Sequence, residues 1–154
     1  MDSQQSGSRS SGTFSTSRDI PAPVEQVFAA FSHPERLARW WGPAGFTNTF
    51  SVCEFTPGGR WSYVMRGPDG RTYPNESVFA EIESPRKIVI QHVSEPKYRL
   101  TIGLAPSAEG TVVSWSGVFE NAEVASRIKH IVIPANEQNL DRLSVEVLRQ
   151  PGGG

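Results

Sequence analysis

The stretch from Phe46 to Phe119 alternates between apolar and polar residues with a period of two. Turn sequences such as TPGG, GPDG and PSAEG divide it into six segments of strand length. An alternation with this period is typical of a β-strand with one buried face, and short connections join neighbouring antiparallel strands. The sequence therefore predicts six consecutive strands, arranged as an antiparallel meander.

The residues before this stretch predict one further strand and two short helices. Segment 13–20, TFSTSRDI, alternates loosely and is interpreted as the first strand. Apolar residues then recur at helical spacing over 24–31, which predicts a helix. A second short helix is expected from Pro34 to about Trp41. It ends at Gly42-Pro43 because proline cannot continue the hydrogen-bond ladder of a helix.

The residues after the meander predict the longest helix of the chain. Segment 121–150 carries apolar residues at helical spacing. Asn121 and Asn136 are both suited to begin a helix, because an asparagine side chain can accept hydrogen bonds from the first free amides. Pro134 lies between them and predicts either two helical pieces or a kink. We expect the main helix to cover about Asn136 to Leu148.

The order of these elements predicts the fold class. A seven-stranded antiparallel sheet can bury one face only if another element covers it, and the C-terminal helix is the only element long enough. We therefore expect an α+β protein whose curved sheet wraps a long C-terminal helix, with Leu140 and Leu143 buried between them. Two short helices follow the first strand. Residues 13–149 form this single domain, 1–12 a disordered tail and 150–154 a frayed end.

Composition excludes several classes of function. Fifteen basic and sixteen acidic residues give a net charge of −1 without any basic block, so no nucleic-acid partner is expected. Cys53 is the only cysteine, which excludes an internal disulfide framework and fits a reducing compartment. The apolar runs are too short for a membrane span, and the polar start MDSQQSGSRSSG does not resemble a secretory signal. We expect a cytoplasmic protein that is a monomer or a homodimer.

Several segments together resemble a known family. They are APVEQVFAAFSHPERLARWWGPAGFT, FTPGGRWSYVMRGPDGRTYP, ESPRKIVI and the terminal NLDRL. Over about residues 13–149 the chain resembles the activator of Hsp90 ATPase homologue 1-like family, part of the START-like, Bet v 1-like (SRPBCC) superfamily. The resemblance implies a helix-grip fold. Many relatives carry a Gly-Trp pair where this chain has Ala135-Asn136, which implies a smaller and more polar cavity wall here.

Strand parity places a wide set of aromatic and apolar side chains on the face beneath the C-terminal helix. Two interpretations are open, since such residues can either line a ligand cavity or fill the core. The predicted ligand-binding residues come from this face, from the turn after the second short helix and from the C-terminal helix. They are Trp41, Phe46, Trp61, Tyr63, Met65, His92, Tyr98, Leu100, Trp115, Asn136, Glu137 and Leu140.

The sequence allows two roles for the adjacent tryptophans before Gly42, Trp40 and Trp41. If the second short helix ends at Trp41, one indole turns inward over the mouth of the sheet, and the other covers the outside of the turn 42–45. The inward indole then either forms the rim of a cavity or fastens the helices to the edge of the sheet.

His92 is the best candidate for acid or base chemistry, although a lone histidine on an apolar face can also be a satisfied core residue. Glu137 would complete a pair with His92 if the two met across the cavity. The three histidines lack metal-ligand spacing, and the chain has no phosphate-binding loop or nucleophile motif. We therefore expect no metal and no cofactor.

Three functions follow from the residues and the resemblance. The first is the binding of a small hydrophobic or aromatic molecule in an internal cavity. The second is a cyclase- or hydrolase-type reaction that uses His92 with Tyr63, Tyr98 or Glu137. The third is a chaperone-linked interaction module, which the short N-terminal tail disfavours because such a co-chaperone usually carries a second, N-terminal domain.

Overall fold

The structure is a computed structural model that describes residues 12–149. The helices are α1 (Val24–Ser32), α2 (Pro34–Trp40) and α3 (Ala122–Leu148). The strands are β1 (Thr13–Ile20), β2 (Thr47–Cys53), β3 (Arg60–Arg66), β4 (Thr72–Glu83), β5 (Lys87–His92), β6 (Tyr98–Pro106) and β7 (Thr111–Phe119). Apart from Gly12, the predicted tail 1–12 lies outside the described residues, as does 150–154.

All seven strands form one antiparallel sheet in the order β1-β7-β6-β5-β4-β3-β2. Strands β2 to β7 pair with their sequence neighbours, which confirms the predicted meander. The first strand crosses the molecule to pair with β7, so the two ends of the domain meet at one edge of the sheet. This is the α+β helix-grip fold that the sequence predicts.

One face of the sheet is buried and the other faces solvent. In β3, Trp61 and Tyr63 are buried while Val64 between them is exposed. In β7, Val113 and Trp115 are buried on the same face. The alternation of side chains along each strand therefore sets the inner face as strand parity predicts.

Helix α3 is longer than the sequence predicts. The expectation of a main helix from about Asn136, with a break at Pro134, is wrong: one helix runs from Ala122 to Leu148 with Pro134 inside it. The side chain of Asn121 accepts hydrogen bonds from the first amides and begins the helix. Proline removes one ladder bond, but Pro134 and His130 are both exposed, so water can reach the carbonyl that loses its partner.

The two ends of α3 lie differently against the sheet. In the C-terminal half, residues 139–148, Leu140, Leu143 and Val147 are buried. In the N-terminal half, residues 122–136, Ala125 is buried, whereas Ile131 and Ile133 are exposed. The helix therefore packs closely onto the core at its C-terminal end and diverges from the sheet at the other.

Candidate ligand-binding site

The paired tryptophans are both buried. Trp40 and Trp41 are 1% and 5% exposed, so the expectation that one indole covers the outside of the turn is wrong. Trp40 donates from Nε1 to the carbonyl of Ala30 at 2.9 Å and fills the space beneath α1. Trp41 ends α2 with an extended backbone, which turns its side chain back over the sheet. Its ring centroid lies 5.9 Å from that of Trp115.

The turn after α2 is held by the C-terminal half of α3. Asn139 donates from Nδ2 to the carbonyl of Trp40 at 3.1 Å. The guanidinium of Arg142 donates to five backbone carbonyls, those of Arg39, Trp41, Gly42, Pro43 and Phe46. These bonds satisfy carbonyls that the end of a helix leaves free. The WWGP and NLDRL segments of the sequence are therefore one structural unit.

A pocket lies where α3 diverges from the sheet. It has a volume of about 250 Å³ and is bounded by the N-terminal half of α3, by β6 and β7, and by the indole of Trp41. Its lining residues are Phe14, Trp41, Pro96, Tyr98, Leu100, Trp115, Gly117, Phe119, Ile128, Ile131, Val132, Ala135, Asn136 and Asn139. None of these side chains is charged, and five of them are aromatic.

The predicted site residues divide into two groups. Those that line the pocket are Trp41, Tyr98, Leu100, Trp115 and Asn136. Those that lie outside its lining are Phe46, Trp61, Tyr63, Met65, His92, Glu137 and Leu140. Among the second group, Trp61 stacks against Tyr63 and Phe79 with ring centroids 4.4 and 5.2 Å apart. The inner face beneath α2 is therefore a filled aromatic core.

The remaining lining residues were not among the predicted site residues. They are Phe14, Pro96, Gly117, Phe119, Ile128, Ile131, Val132, Ala135 and Asn139. Ile128, Val132, Ala135 and Asn139 follow one another at spacings of three or four, which is the signature of one helix face. If Pro134 is taken as a break in the helix, these four residues fall on two separate elements, and their common face cannot be recognised from the sequence.

The polar groups at the pocket are few and fixed in place. Tyr98 stacks on His92 with ring centroids 4.6 Å apart and planes 8° apart, and its hydroxyl has no hydrogen-bond partner among the described residues. Burial raises the pKa of Tyr98 to about 12, so the hydroxyl keeps its proton at neutral pH. Asn139 uses its amide nitrogen on the carbonyl of Trp40 and leaves its side-chain oxygen unpaired among the described residues.

His92 is a satisfied core residue. Its Nδ1 lies 2.8 Å from the carbonyl of Pro96, and its Nε2 lies 2.6 Å from the side-chain oxygen of Asn75. Burial lowers the pKa of His92, with hydrogen bonds to the backbone acting in the opposite direction. Both ring nitrogens are engaged by protein groups, and His92 itself lies outside the pocket lining. Of the two interpretations that the sequence allows, an acid or base group and a satisfied core residue, the geometry of His92 therefore fits the second.

Glu137 is held by other partners. It accepts a hydrogen bond from the hydroxyl of Thr16 at 2.6 Å and forms an ion pair with Arg18 at 3.0 Å. The hydrogen bonds from Thr16 and Arg18 hold the pKa of Glu137 below its ordinary value. His92 and Glu137 therefore do not form an acid–base pair across the pocket. No group of three or more potential metal-ligating side chains occurs within residues 12–149.

The fold and the site define a class of protein, namely a helix-grip domain with an uncharged pocket between its sheet and its C-terminal helix. The chain belongs to the activator of Hsp90 ATPase homologue 1-like family. The model of that family, described as Activator of Hsp90 ATPase homolog 1-like protein, matches residues 21–147. This family lies in the SRPBCC, Bet v 1-like superfamily.

Solved structures of similar proteins share the fold. A protein from Arthrobacter aurescens is 25% identical with a TM-score of 0.82, and the match covers 94% of this chain and 90% of that one. A protein from Rhodobacter sphaeroides is 22% identical with a TM-score of 0.81, covering 92% and 96%. An AHSA1-like protein from Aeromonas hydrophila is 19% identical with a TM-score of 0.71, covering 91% and 98%. No curated protein matches the sequence significantly.

Over residues 12–149, none of the helices is both long enough and apolar enough to cross a bilayer. The length of α3 is sufficient, but charged residues are distributed along it.

Proposed function

We propose that this protein binds a small apolar or aromatic molecule in the pocket between the N-terminal half of α3 and strands β6 and β7. The observation that carries the proposal is the lining, which joins five aromatic side chains to aliphatic ones and contains no charge. Ligand pockets typically combine apolar walls with a few polar groups that set orientation. Tyr98, Asn136 and Asn139 carry polar groups that have no partner among the described residues, and these groups fit that description.

The size of the pocket indicates the size of the ligand. A volume of about 250 Å³ exceeds the roughly 150 Å³ of an apolar cavity that holds benzene. It falls below the roughly 300 Å³ at which pockets for drug-sized molecules begin. We therefore expect a molecule of one to three rings, or an aliphatic compound of similar bulk.

The residues that line the pocket leave its space open for a ligand and do not fill it with their own side chains. The small residues Gly117 and Ala135 lie on its strand and helix sides. Ile131 is 57% exposed beside the opening. Burying such apolar surface is favourable by about 25 cal/mol for each Å² removed from water. A ligand in the pocket would gain this free energy while α3 stays anchored through its C-terminal half.

Binding is favoured over catalysis by what the pocket contains. Its lining has no carboxylate, histidine, lysine or cysteine that could move a proton or attack a substrate. Proteins of this superfamily commonly hold hydrophobic ligands, which supports the same function. The single cysteine of the chain fits a reducing compartment, so we expect the ligand to be a cytoplasmic one.

A fluorescence titration tests the proposal. The neutral probe N-phenyl-α-naphthylamine absorbs where tryptophan emits, so binding beside Trp41 and Trp115 quenches their emission. We expect saturable quenching of the wild type. The variant Asn136→Trp fills the pocket and should lose this binding, whereas His130→Trp adds the same side chain at an exposed position outside the lining and should retain it. Absent binding to the wild type, or equal affinities of the two variants, would overturn the proposal.

A further inference from the structure

We propose that the pocket selects neutral ligands that carry a hydroxyl or carbonyl group over anionic ones, and that Tyr98 is the residue that determines this preference. The inference rests on the proposed function, because it concerns the same pocket. It identifies the ligand as an uncharged, mostly apolar ring compound with at least one hydrogen-bonding group.

The first argument is the charge around the pocket. None of the lining side chains is cationic. Arg18 of β1 and Arg142 of α3 are both already engaged, because Arg18 pairs with Glu137 and Asp141 and Arg142 donates to five backbone carbonyls. A carboxylate that enters an apolar site without a cationic partner loses its hydration and gains no compensating interaction. Anionic ligands are therefore excluded by an unfavourable desolvation energy.

The second argument is the hydroxyl of Tyr98. It has no hydrogen-bond partner among the described residues. Since burial raises its pKa to about 12, it stays protonated and can both donate to a carbonyl and accept from a hydroxyl. A purely apolar ligand would remove water from this group and leave it unpaired, whereas a ligand with a hydroxyl or carbonyl would satisfy it.

The third argument is that the hydroxyl is held in position. The ring of Tyr98 stacks on His92 with centroids 4.6 Å apart and packs against Phe119 at 5.2 Å. His92 is itself held by the carbonyl of Pro96 and the side chain of Asn75. A polar group fixed by its surroundings loses little conformational entropy when a ligand binds, so it discriminates well between ligands.

Asn139 supplies a second polar group on the opposite wall. Its amide nitrogen donates to the carbonyl of Trp40, which fixes the orientation of the side chain. The remaining oxygen has no partner among the described residues and is suited to accept from a ligand hydroxyl. A hydroxyl therefore has acceptors at Tyr98 and Asn139, while a carboxylate would meet the oxygen of Asn139 unfavourably.

Three ligands with the same ring system test the inference at neutral pH: α-methylnaphthalene, α-naphthol and α-naphthoate. Their affinities are measured by displacement of N-phenyl-α-naphthylamine from the wild type, from Tyr98→Phe and from the control Tyr73→Phe. Tyr73 lies outside the pocket lining and is exposed. We expect the wild type and the control to bind naphthol roughly tenfold or more tightly than naphthoate, and several-fold more tightly than methylnaphthalene.

Tyr98→Phe keeps the stacked ring and removes only the hydroxyl. We expect it to bind naphthol and methylnaphthalene with similar affinity, with methylnaphthalene bound at least as tightly as by the wild type. If methylnaphthalene binds but naphthoate binds as tightly as naphthol, or Tyr98→Phe retains the preference for naphthol, the selectivity is overturned and the proposed function stands. If neither methylnaphthalene nor the probe binds, the proposed function fails and the selectivity fails with it.

Discussion

The two halves of helix α3 belong to one continuous element but have different relations to the rest of the molecule. The C-terminal half buries Leu140, Leu143 and Val147 and holds the turn after α2 through Arg142. The N-terminal half diverges from the sheet and leaves a pocket beneath it. The C-terminal half anchors the helix, so the N-terminal half can lie above an open pocket.

This division makes a direct prediction, because substitutions in the C-terminal half should affect stability and those in the N-terminal half should affect binding.

The largest effect is expected for Leu143→Ala. Leu143 is fully buried, with 0% of its surface exposed, and removing its side chain should lower the free energy of unfolding by about 2–5 kcal/mol. Ile131→Ala is the control in the N-terminal half, and its exposed side chain predicts a change of less than about 0.5 kcal/mol. Urea denaturation measures both. Equal losses would contradict the division of the helix.

A smaller effect is expected for Glu146→Gln. Its carboxylate is 6% exposed and accepts hydrogen bonds from Arg36 and Arg39. The substitution replaces the charged acceptor of these hydrogen bonds by a neutral amide, which should lower the free energy of unfolding by about 1.5–3 kcal/mol at neutral pH. Asp141→Asn is the control, because this carboxylate is largely exposed and its one ion-pair partner among the described residues is Arg18. A loss as small as that of the control would show that the buried ion pair contributes nothing.

The same variant has a predicted pH dependence. Burial alone would raise the pKa of Glu146, but the hydrogen bonds from Arg39 and Arg36 outweigh burial and leave the pKa below its ordinary value. A carboxylate with a lowered folded-state pKa stabilises the protein above its unfolded-state pKa of about 4.3. This contribution is lost as the pH falls through the folded-state pKa. The stability difference between wild type and Glu146→Gln should therefore be full near neutrality and shrink in acid.

Arg142→Lys should have the smallest effect of the three. Lysine keeps the charge but cannot reach all five carbonyls around the turn, so we expect a loss of about 1–2 kcal/mol. The loosened turn should also change the near-ultraviolet circular dichroism of Trp40 and Trp41. Arg127→Lys, a substitution in the N-terminal half, should leave both signals unchanged. An unaltered spectrum for Arg142→Lys would mean that the turn holds its shape without the guanidinium.

Much of the fold could be predicted from the sequence because its signals are local. The segments RWSYVMR and TVVSWSGVF predict strands, and the structure has β3 at Arg60–Arg66 and β7 at Thr111–Phe119. Alternation with a period of two is a property of each strand by itself. Short turns between the strands then leave little choice of neighbours.

The helix and the pocket could be predicted less well because they depend on distant contacts. Pro134 carries a local signal for a break, but the cap at Asn121 and the anchors at Leu140 and Leu143 keep the helix continuous. Trp61 and Trp115 carry the same signal of an inward aromatic residue, yet only Trp115 lines the pocket. The distance between helix and sheet determines whether an inward aromatic residue lines the pocket or fills the core. No periodic pattern in the sequence indicates that distance.

The central claim is that the N-terminal half of α3, Asn139 and the facing strands form the binding surface, while residues 140–148 only anchor the helix. The most direct test is to map backbone amide NMR chemical shifts while α-naphthol is added. We predict saturable shifts over 128–136 and at the pocket residues of β6 and β7, such as Leu100 and Gly117, with residues 142–148 unchanged. Shifts concentrated in 142–148, or no saturable shift at all, would contradict the account.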